Sequence, residues 1–275
     1  MTLTDKDLTQ RLAEQPWTAH NIRFTPGVIA MPGRPDFKSD IRLKAILSFL
    51  SVLYKDELIG LRLADLGCLE GGFALELAQR GMIVTGVEAR EKNLKKCRLL
   101  EEHFGLPNLK FVRDDAKNFS RENYGTFDVV LALGILYHLD DPLSWLYQIA
   151  ETTKSMLVIE SHYAPEDEKA LALLDPDLRQ LGPIERVEYR GTTYEGRWFF
   201  EYGPEHDPEN QLWASYSNAR SFWLTKESIL RVTKGAGFDL VLEDHTYSAN
   251  NYRFFNSSRA RGMYLAIKTS AVVSK

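Results

Sequence analysis

A doubly wound α/β fold with a mostly parallel sheet is predicted by three features of this sequence. Short apolar runs alternate with helically spaced apolar stripes from Leu61 to Glu160. A glycine turn, Gly67 to Gly72, joins the first run to the first stripe. Acidic residues close three successive runs: Asp65, Glu88 and the pair Asp114-Asp115. Strands separated by helices of this length require right-handed crossovers, which place helices on both faces of a parallel sheet.

Residues 1–54 read as a cap segment. They open with a loop rich in turn residues (Pro16, Pro26, Gly27, Pro32, Gly33, Pro35) and continue as a helix carrying Ile41, Leu43, Ile46, Leu47, Leu50 and Leu53. Leu61–Leu66 and Ile83–Val87 read as strands bounded by Gly and charged residues. Between them Phe73, Ala74, Leu77 and Ala78 form a helical stripe; Leu94, Cys97, Leu100 and Phe104 repeat it, with Gly105 as C-cap. Strands follow at Leu109–Val112 and Phe127–Leu133, then a helix over about Asp141–Thr153 and a strand at Met156–Glu160. The Tyr-, Trp- and Gly-rich stretch of about 175–222 interrupts this alternation and is expected to be an inserted lid over the open end of the sheet. A helix near Thr225–Gly235 and strands Phe238–Asp244 and Met263–Lys268 complete the chain, the two strands forming an antiparallel pair joined by the polar loop Thr246–Gly262. The sum is a Rossmann-like seven-stranded sheet with an antiparallel last strand, carried by one domain over residues 55–275.

Composition bounds the partners. A chain of 275 residues that is 44% hydrophobic builds one substantial core, or one core and a small cap. No apolar run approaches the roughly 20 residues that span a bilayer. Met1–Gln10 has no apolar core of a secretory signal. The cysteines Cys68 and Cys97 lack metal-ligand spacing, so no metal is expected, and a reduced, cytoplasmic setting is. A net charge of −4 weighs against indiscriminate nucleic-acid binding, since neutralising phosphates needs a basic face; it leaves tRNA open.

The segment Asp65-Leu66-Gly67-Cys68-Leu69-Glu70-Gly71-Gly72-Phe73 leaves a strand and enters a helix. Glycine lets such a turn bend sharply and approach a ligand without a Cβ in the way. Its Gly-x-Leu-x-Gly spacing departs from the Gly-x-Gly-x-x-Gly that cradles a pyrophosphate. Glu88 can accept both hydroxyls of a ribose, and Asp115 an adenine amino group. Together these carboxylates suit a ligand with a ribose, an adenine and a positive charge, and no phosphate to repel.

These residues, with Asp115-Ala116, Phe127-Asp128-Val129-Val130 and Leu133 to Leu139, resemble the class I methyltransferases that use S-adenosylmethionine (SAM). The resemblance implies that Asp65, Gly67 and Gly71 surround the methionine part of SAM, with Glu88 at the ribose and Asp115 at the adenine, and with Cys68, Leu69, Ala89 and Ala116 among the cofactor-binding residues. Leu133 and Tyr137 then complete the cofactor pocket. Leu69 stands where the commonest motif has a glycine. Within that family, Gly134-Ile135-Leu136-Tyr137-His138-Leu139-Asp140-Asp141-Pro142 and Ser217-Asn218-Ala219-Arg220-Ser221-Phe222-Trp223-Leu224-Thr225 are similar to stretches of the tRNA wobble-uridine carboxymethyltransferases, which use a carboxylated SAM.

Methyl transfer from a sulfonium is an in-line substitution, so the protein orients the nucleophile and excludes water. A hydroxyl acceptor also gains from a general base. His138 is the candidate base, with helix capping or a loop hydrogen bond as its structural alternative. Glu160 and His162, closing the next strand, could hold or deprotonate a substrate, or serve only to support the loop. The insertion's Tyr189, Tyr194, Arg197, Trp198, Phe199, Phe200, Tyr202, Trp213, Tyr216 and Asn218 could form a substrate lid or simply pack. Trp17, His20 and Lys38 are candidates to close over SAM. The expected function is methyl transfer from SAM to a hydroxyl, before an amine or carbon, of a small metabolite such as a sugar or natural-product intermediate. The alternatives are a tRNA alkyltransferase using SAM or carboxy-SAM, and a SAM-binding protein without catalysis. The acceptor itself and the oligomeric state are not legible in the sequence.

Overall fold

A computed structural model describes residues 3–172, 180–244 and 260–270. The chain divides into two compact units, Met1–Ala116 and Lys117–Lys275.

In the first unit, strands β1 (Arg62–Leu66), β2 (Ile83–Glu88) and β3 (Leu109–Arg113) are parallel, with Leu66 opposite Val87 and Glu88 opposite Arg113. Helices α1 (Asp5–Glu14), α2 (Ile41–Tyr54), α3 (Gly72–Ala78) and α4 (Glu91–Phe104) complete it. Helix α1 replaces the first part of the expected loop. Its start is fixed by a capping box, in which Thr4 and Asp7 satisfy each other's backbone N–H groups. Helix α1 buries only Leu8, so it carries no apolar stripe to mark it in the sequence. Gly105 ends α4 in the left-handed conformation, φ 58°. The expected cap segment, residues 1–54, belongs to this unit.

The second unit holds α5 (Arg121–Tyr124), β4 (Phe127–Leu133), α6 (Pro142–Thr152), β5 (Thr153–His162), α7 (Glu168–Ala172), β6 (Ile184–Tyr189), β7 (Thr192–Phe200), β8 (Arg220–Leu224), α8 (Lys226–Gly235), β9 (Leu240–Glu243) and β10 (Arg261–Ile267). Strand β4 is parallel to β5, β10 is antiparallel to β5, and β9 is antiparallel to β10. Strand β9 therefore runs with β4 and β5, and β10 opposes all three. The seven strands follow the order β3-β2-β1-β4-β5-β10-β9, the predicted mostly parallel, Rossmann-like sheet with an antiparallel last strand. Asp141 caps α6 through the Ser144 N–H, with Pro142 in the first turn; Thr225 caps α8 through Ser228. Val129, Val130, Leu131, Ala132, Leu157, Val158 and Ile159 are wholly buried, as continuous apolar runs in a covered parallel sheet must be. Each large one contributes about 1.5–3 kcal/mol.

The insertion differs from expectation. Its described residues form, with β8, a three-stranded antiparallel sheet, β6-β7-β8, where no strands were expected. Arg190 and Gly191, both at positive φ (49° and 75°), form the two-residue turn between β6 and β7, the conformation that matches hairpin twist. The aromatic excess had masked a period-two pattern. The predicted loop Thr246–Gly262 lies outside the described residues from 246 to 259. Among the described residues no helix is long and apolar enough to cross a membrane.

Candidate cofactor and proton-acceptor sites

The first unit contains the glycine turn. Gly67 and Gly71 adopt positive φ, 63° and 75°, and so does Leu69 at 54°. A left-handed side-chain-bearing residue costs roughly 1–2 kcal/mol, so the leucine in place of the usual glycine is a strained position. A Cβ on Gly71 would lie 2.6 Å from the Phe111 ring, and one on Gly86 2.4 Å from it. Phe111 thus requires glycine at both sites and fills the space behind the turn.

Two carboxylates, Asp65 of β1 and Glu88 of β2, flank this turn, and a third, Glu70, lies in the loop itself. Asp65 is buried, and its Oδ2 has no hydrogen-bond partner. Burial pushes its carboxyl up to about 7, the Ala74 N–H opposing and the neighbouring Glu88 charge adding to the rise. Glu88 is buried at the end of β2; Oε2 accepts from the Leu69 N–H at 2.9 Å and Oε1 from the Arg90 N–H at 2.8 Å. Burial raises this carboxyl as well. Each of its oxygens keeps a lone pair for a further donor. Glu70 points the other way. Its carboxylate accepts from the Thr18, Ala19 and His20 N–H groups at 2.7, 3.0 and 2.8 Å, from Thr18 Oγ1 at 3.0 Å, and from Lys96 Nζ at 2.7 Å. His20 in turn accepts the Gly72 N–H on Nδ1 at 3.0 Å, capping α3. Desolvation brings His20 down to about 4, so it is neutral and suited to accept.

The sequence-predicted cofactor residues divide accordingly. Asp65, Gly67, Leu69, Gly71 and Glu88 are brought together at the turn. Ala89 follows Glu88, and its carbonyl accepts from Arg113 Nε at 3.3 Å. Asp115 and Ala116 follow β3, Ala116 buried at the start of a 3-10 turn. The Cys68 thiol is buried against Cys97 and Leu94, and its N–H and C=O bond to Val87 and Gly71. Cys68 therefore supports the turn from beneath. His20 and Trp17 are buried in the anchored segment, and His20 is a helix cap. An orphaned buried carboxylate oxygen beside a glycine turn fits a ligand carrying a cationic amine, and Glu88 fits a vicinal diol. Both are present in SAM.

The second unit contains the candidate base. His138 closes the 3-10 turn Leu136–His138 after β4. Its Nδ1 lies 2.9 Å from Glu201 Oε1, and the side chains are 15% and 2% exposed. Neither expected structural alternative holds, since Asp141 caps α6 and the His138 ring partners a carboxylate. Glu201 also accepts from Ser221 Oγ at 2.5 Å and from the Ser215 N–H at 3.0 Å. Burial raises the Glu201 carboxyl, but the His138 contact and the Ser221 and Ser215 hydrogen bonds outweigh it, holding it below the usual carboxylate value. Asn218 Nδ2 donates to the His138 carbonyl at 3.0 Å, and the Phe222 N–H to the Leu139 carbonyl at 2.8 Å. Glu201 carried no signal in the sequence: a single Glu between aromatics, 63 residues from its partner.

Glu160 and His162 lie together at the end of β5. Both oxygens of the fully buried Glu160 are taken by Arg261, through Nε and through Nη2 at 2.7 Å. A carboxylate so paired is a poor proton acceptor. His162 Nδ1 donates to the Ala260 carbonyl at 3.2 Å while Nε2 faces Arg261 Nη1 at 3.4 Å. Desolvation and the Arg261 charge bring it down to about 3. It is a neutral ring stacked on Trp223 at 5.1 Å, and not a base. Tyr137 packs in the same aromatic group, 4.2 Å from His138 and 4.7 Å from His162 between centroids. Leu133 pairs with Glu160 at the end of β4. Of the insertion's aromatics, Tyr194 is buried while Phe200 and Trp213 are exposed. Arg197 is buried on the Pro165 and Gly182 carbonyls, a packing role.

Residues 64–156 match a family model described as a methyltransferase domain. Over 99 residues the chain is 32% identical to a ubiquinone biosynthesis O-methyltransferase of Vibrio campbellii, covering 36% of this chain and 42% of that protein. A relative of the same name from Caulobacter sp. is 36% identical over 92 residues, 34% of this chain and 36% of the relative. The chain thus spans about two fifths of the length of these curated relatives. Among solved structures, the N-terminal domain of EvdMO1, crystallised in the presence of SAH and D-fucose, superposes with a TM-score of 0.70 at 21% identity, covering 97% of both chains. Magnesium protoporphyrin IX methyltransferase (ChlM) from Synechocystis PCC 6803, with bound SAH, gives 0.51 at 18% identity over 86% of this chain and 90% of that one. At these identities the structures share the fold. Residues 64–156, which include the glycine turn and its carboxylates, thus match a methyltransferase domain, and the chain shares the fold of these structures.

Proposed function

We propose that this protein transfers a methyl group from SAM to a hydroxyl of a small metabolite, a sugar or natural-product intermediate being the favoured class. The turn of the first unit holds the cofactor: Asp65 accepts from its ammonium, Glu88 from its ribose hydroxyls, and Gly67 and Gly71 keep the backbone clear. When bound, SAM supplies a methyl group activated on a sulfonium. The observation that carries the hydroxyl reading is His138, whose Nδ1 is committed to a carboxylate. Nε2 is then the nitrogen left to take a proton. His138 Nε2 would take the proton of the acceptor hydroxyl while Nδ1 stays on Glu201; the methyl group would come from the sulfonium, whose S–CH3 bond breaks to leave a neutral thioether. The O-methyltransferase names of the relatives support the same acceptor atom.

The test is a methyl-transfer assay over a panel of sugars and phenols with wild type and His138→Asn. Turnover is expected to fall about 10²–10⁴-fold, the usual contribution of a general base, with SAM affinity by calorimetry unchanged. Unaltered turnover in the variant refutes the base. Failure of the wild type to bind SAM refutes the cofactor assignment.

A further inference from the structure

We infer that Glu201 is a positioning residue of this site, which fixes the tautomer and orientation of His138 from within the inserted sheet. The inference rests on the hydroxyl reading above only for its catalytic consequence, since the geometry is a property of the protein alone.

Glu201 directly follows β7, and its N–H donates to the Ala219 carbonyl at 2.9 Å, extending the pairing with β8 by one step. Alternation along an extended strand turns successive side chains to opposite faces. Phe200 is exposed and Glu201 is buried. The carboxylate is then held by two donors besides His138: Ser221 from β8 and the Ser215 N–H from the β7–β8 connection. Two more bonds tie the same insertion to the backbone beside His138, from Asn218 Nδ2 and the Phe222 N–H. The insertion thus grips the histidine at its ring and at its backbone.

The chemistry follows from the donor inventory. An ionised carboxylate only accepts, so His138 Nδ1 must carry a proton in this contact and Nε2 must not. Three hydrogen bonds on one buried carboxylate restrict its rotation, and the ring's rotation with it. Ser221 and Ser215 have no acceptor or donor role of their own toward the ring. They act through Glu201.

Glu201→Gln reverses the inventory. The amide NH₂ can donate to Nδ1, which moves the ring proton to Nε2 and removes the proton acceptor. Wild-type and variant protein, uniformly ¹⁵N-labelled and without added ligand, are compared by two-bond ¹H–¹⁵N correlation spectra of the histidine rings, with His138→Asn for assignment. The expected wild-type pattern is the Nδ1–H tautomer, changing to Nε2–H in Glu201→Gln. In the methyl-transfer assay, kcat falls at least about 10-fold while the acceptor KM stays within 2-fold, and Glu201→Asp recovers part of the loss. A wild-type ring in the Nε2–H form overturns the inference without any variant. So does a Glu201→Gln variant, folded by circular dichroism, that keeps the wild-type tautomer. Should Glu201→Gln not fold, Ser221→Ala replaces it, with unchanged ring line widths and turnover as the overturning result. A correct tautomer with His138→Asn fully active refutes the base and leaves the positioning intact, so the two failures are told apart.

Discussion

Glu70→Ala is expected to be among the most damaging single substitutions in the first unit. The carboxylate is wholly buried and holds three consecutive backbone N–H groups, a hydroxyl and the Lys96 ammonium, whose side chain is 8% exposed. Removing one partner of a buried ion pair leaves an uncompensated charge, at about 3–5 kcal/mol. The three orphaned amides add to this unless residues 18–20 detach to reach water. The Glu70→Ala, Lys96→Met double variant removes the stranded charge and should recover about 1–3 kcal/mol relative to additivity. Urea unfolding of the four proteins gives the coupling, and amide hydrogen exchange at Thr18, Ala19 and His20 should accelerate by about 10² or more in the single variant. Burial raises the Glu70 carboxyl, but a protonated His20, the His20 N–H and Lys96 outweigh it, so it lies below its ordinary 4.5. At neutral pH, where His20 is uncharged, the amides and Lys96 maintain the network. A depressed carboxylate stabilises above its unfolded value, and that contribution is lost as pH falls below about 4.5. A cost under about 1 kcal/mol in the single variant, with the amides still protected, would refute the anchoring role.

Two further outcomes concern the turn. Leu69→Gly should leave stability unchanged or raise it by up to about 1 kcal/mol, the left-handed strain relieved exceeding the added chain entropy; Gly71→Ala should cost about 2–4 kcal/mol from its positive φ and the Phe111 overlap. Equal urea midpoints for the two variants would contradict this geometry. Asp65 has its folded carboxyl raised from 3.8 to about 7, so the fold favours the protonated form. The stability it contributes is complete below 3.8 and is lost as pH rises towards 7. Asp65→Asn should therefore melt above wild type at pH 8 and close to it at pH 4, while binding SAM at least about 10-fold more weakly at pH 8. A variant no more stable than wild type at pH 8 sinks the assignment.

The sheet was legible because a parallel strand buried on both faces is a continuous apolar run, and such runs are short and separated by helices. The cofactor turn was legible for a related reason: positive φ selects glycine, and the residues at the ends of β1 and β2 stand within one local motif. Even the departure at Leu69 showed in the sequence, and the structure placed it in the strained conformation that a glycine would relieve. Helix α1 and the three-stranded insertion were not legible, the first because its apolar stripe is one residue deep, the second because aromatics on both faces obscure alternation.

What the sequence determined by itself is the order of the strands' apolar runs, the glycine turn and the carboxylates on it. Only the tertiary structure decided what each polar side chain faces. It separated Glu70, turned to the N-terminal segment, from Asp65 of β1 and Glu88 at the end of β2. It set Glu160 and His162 against Arg261, and it supplied Glu201 to His138. The physical reason is that a titratable group's chemistry is set by its desolvation and its nearest charge, and those neighbours come from 63 residues away for Glu201 and 101 for Arg261.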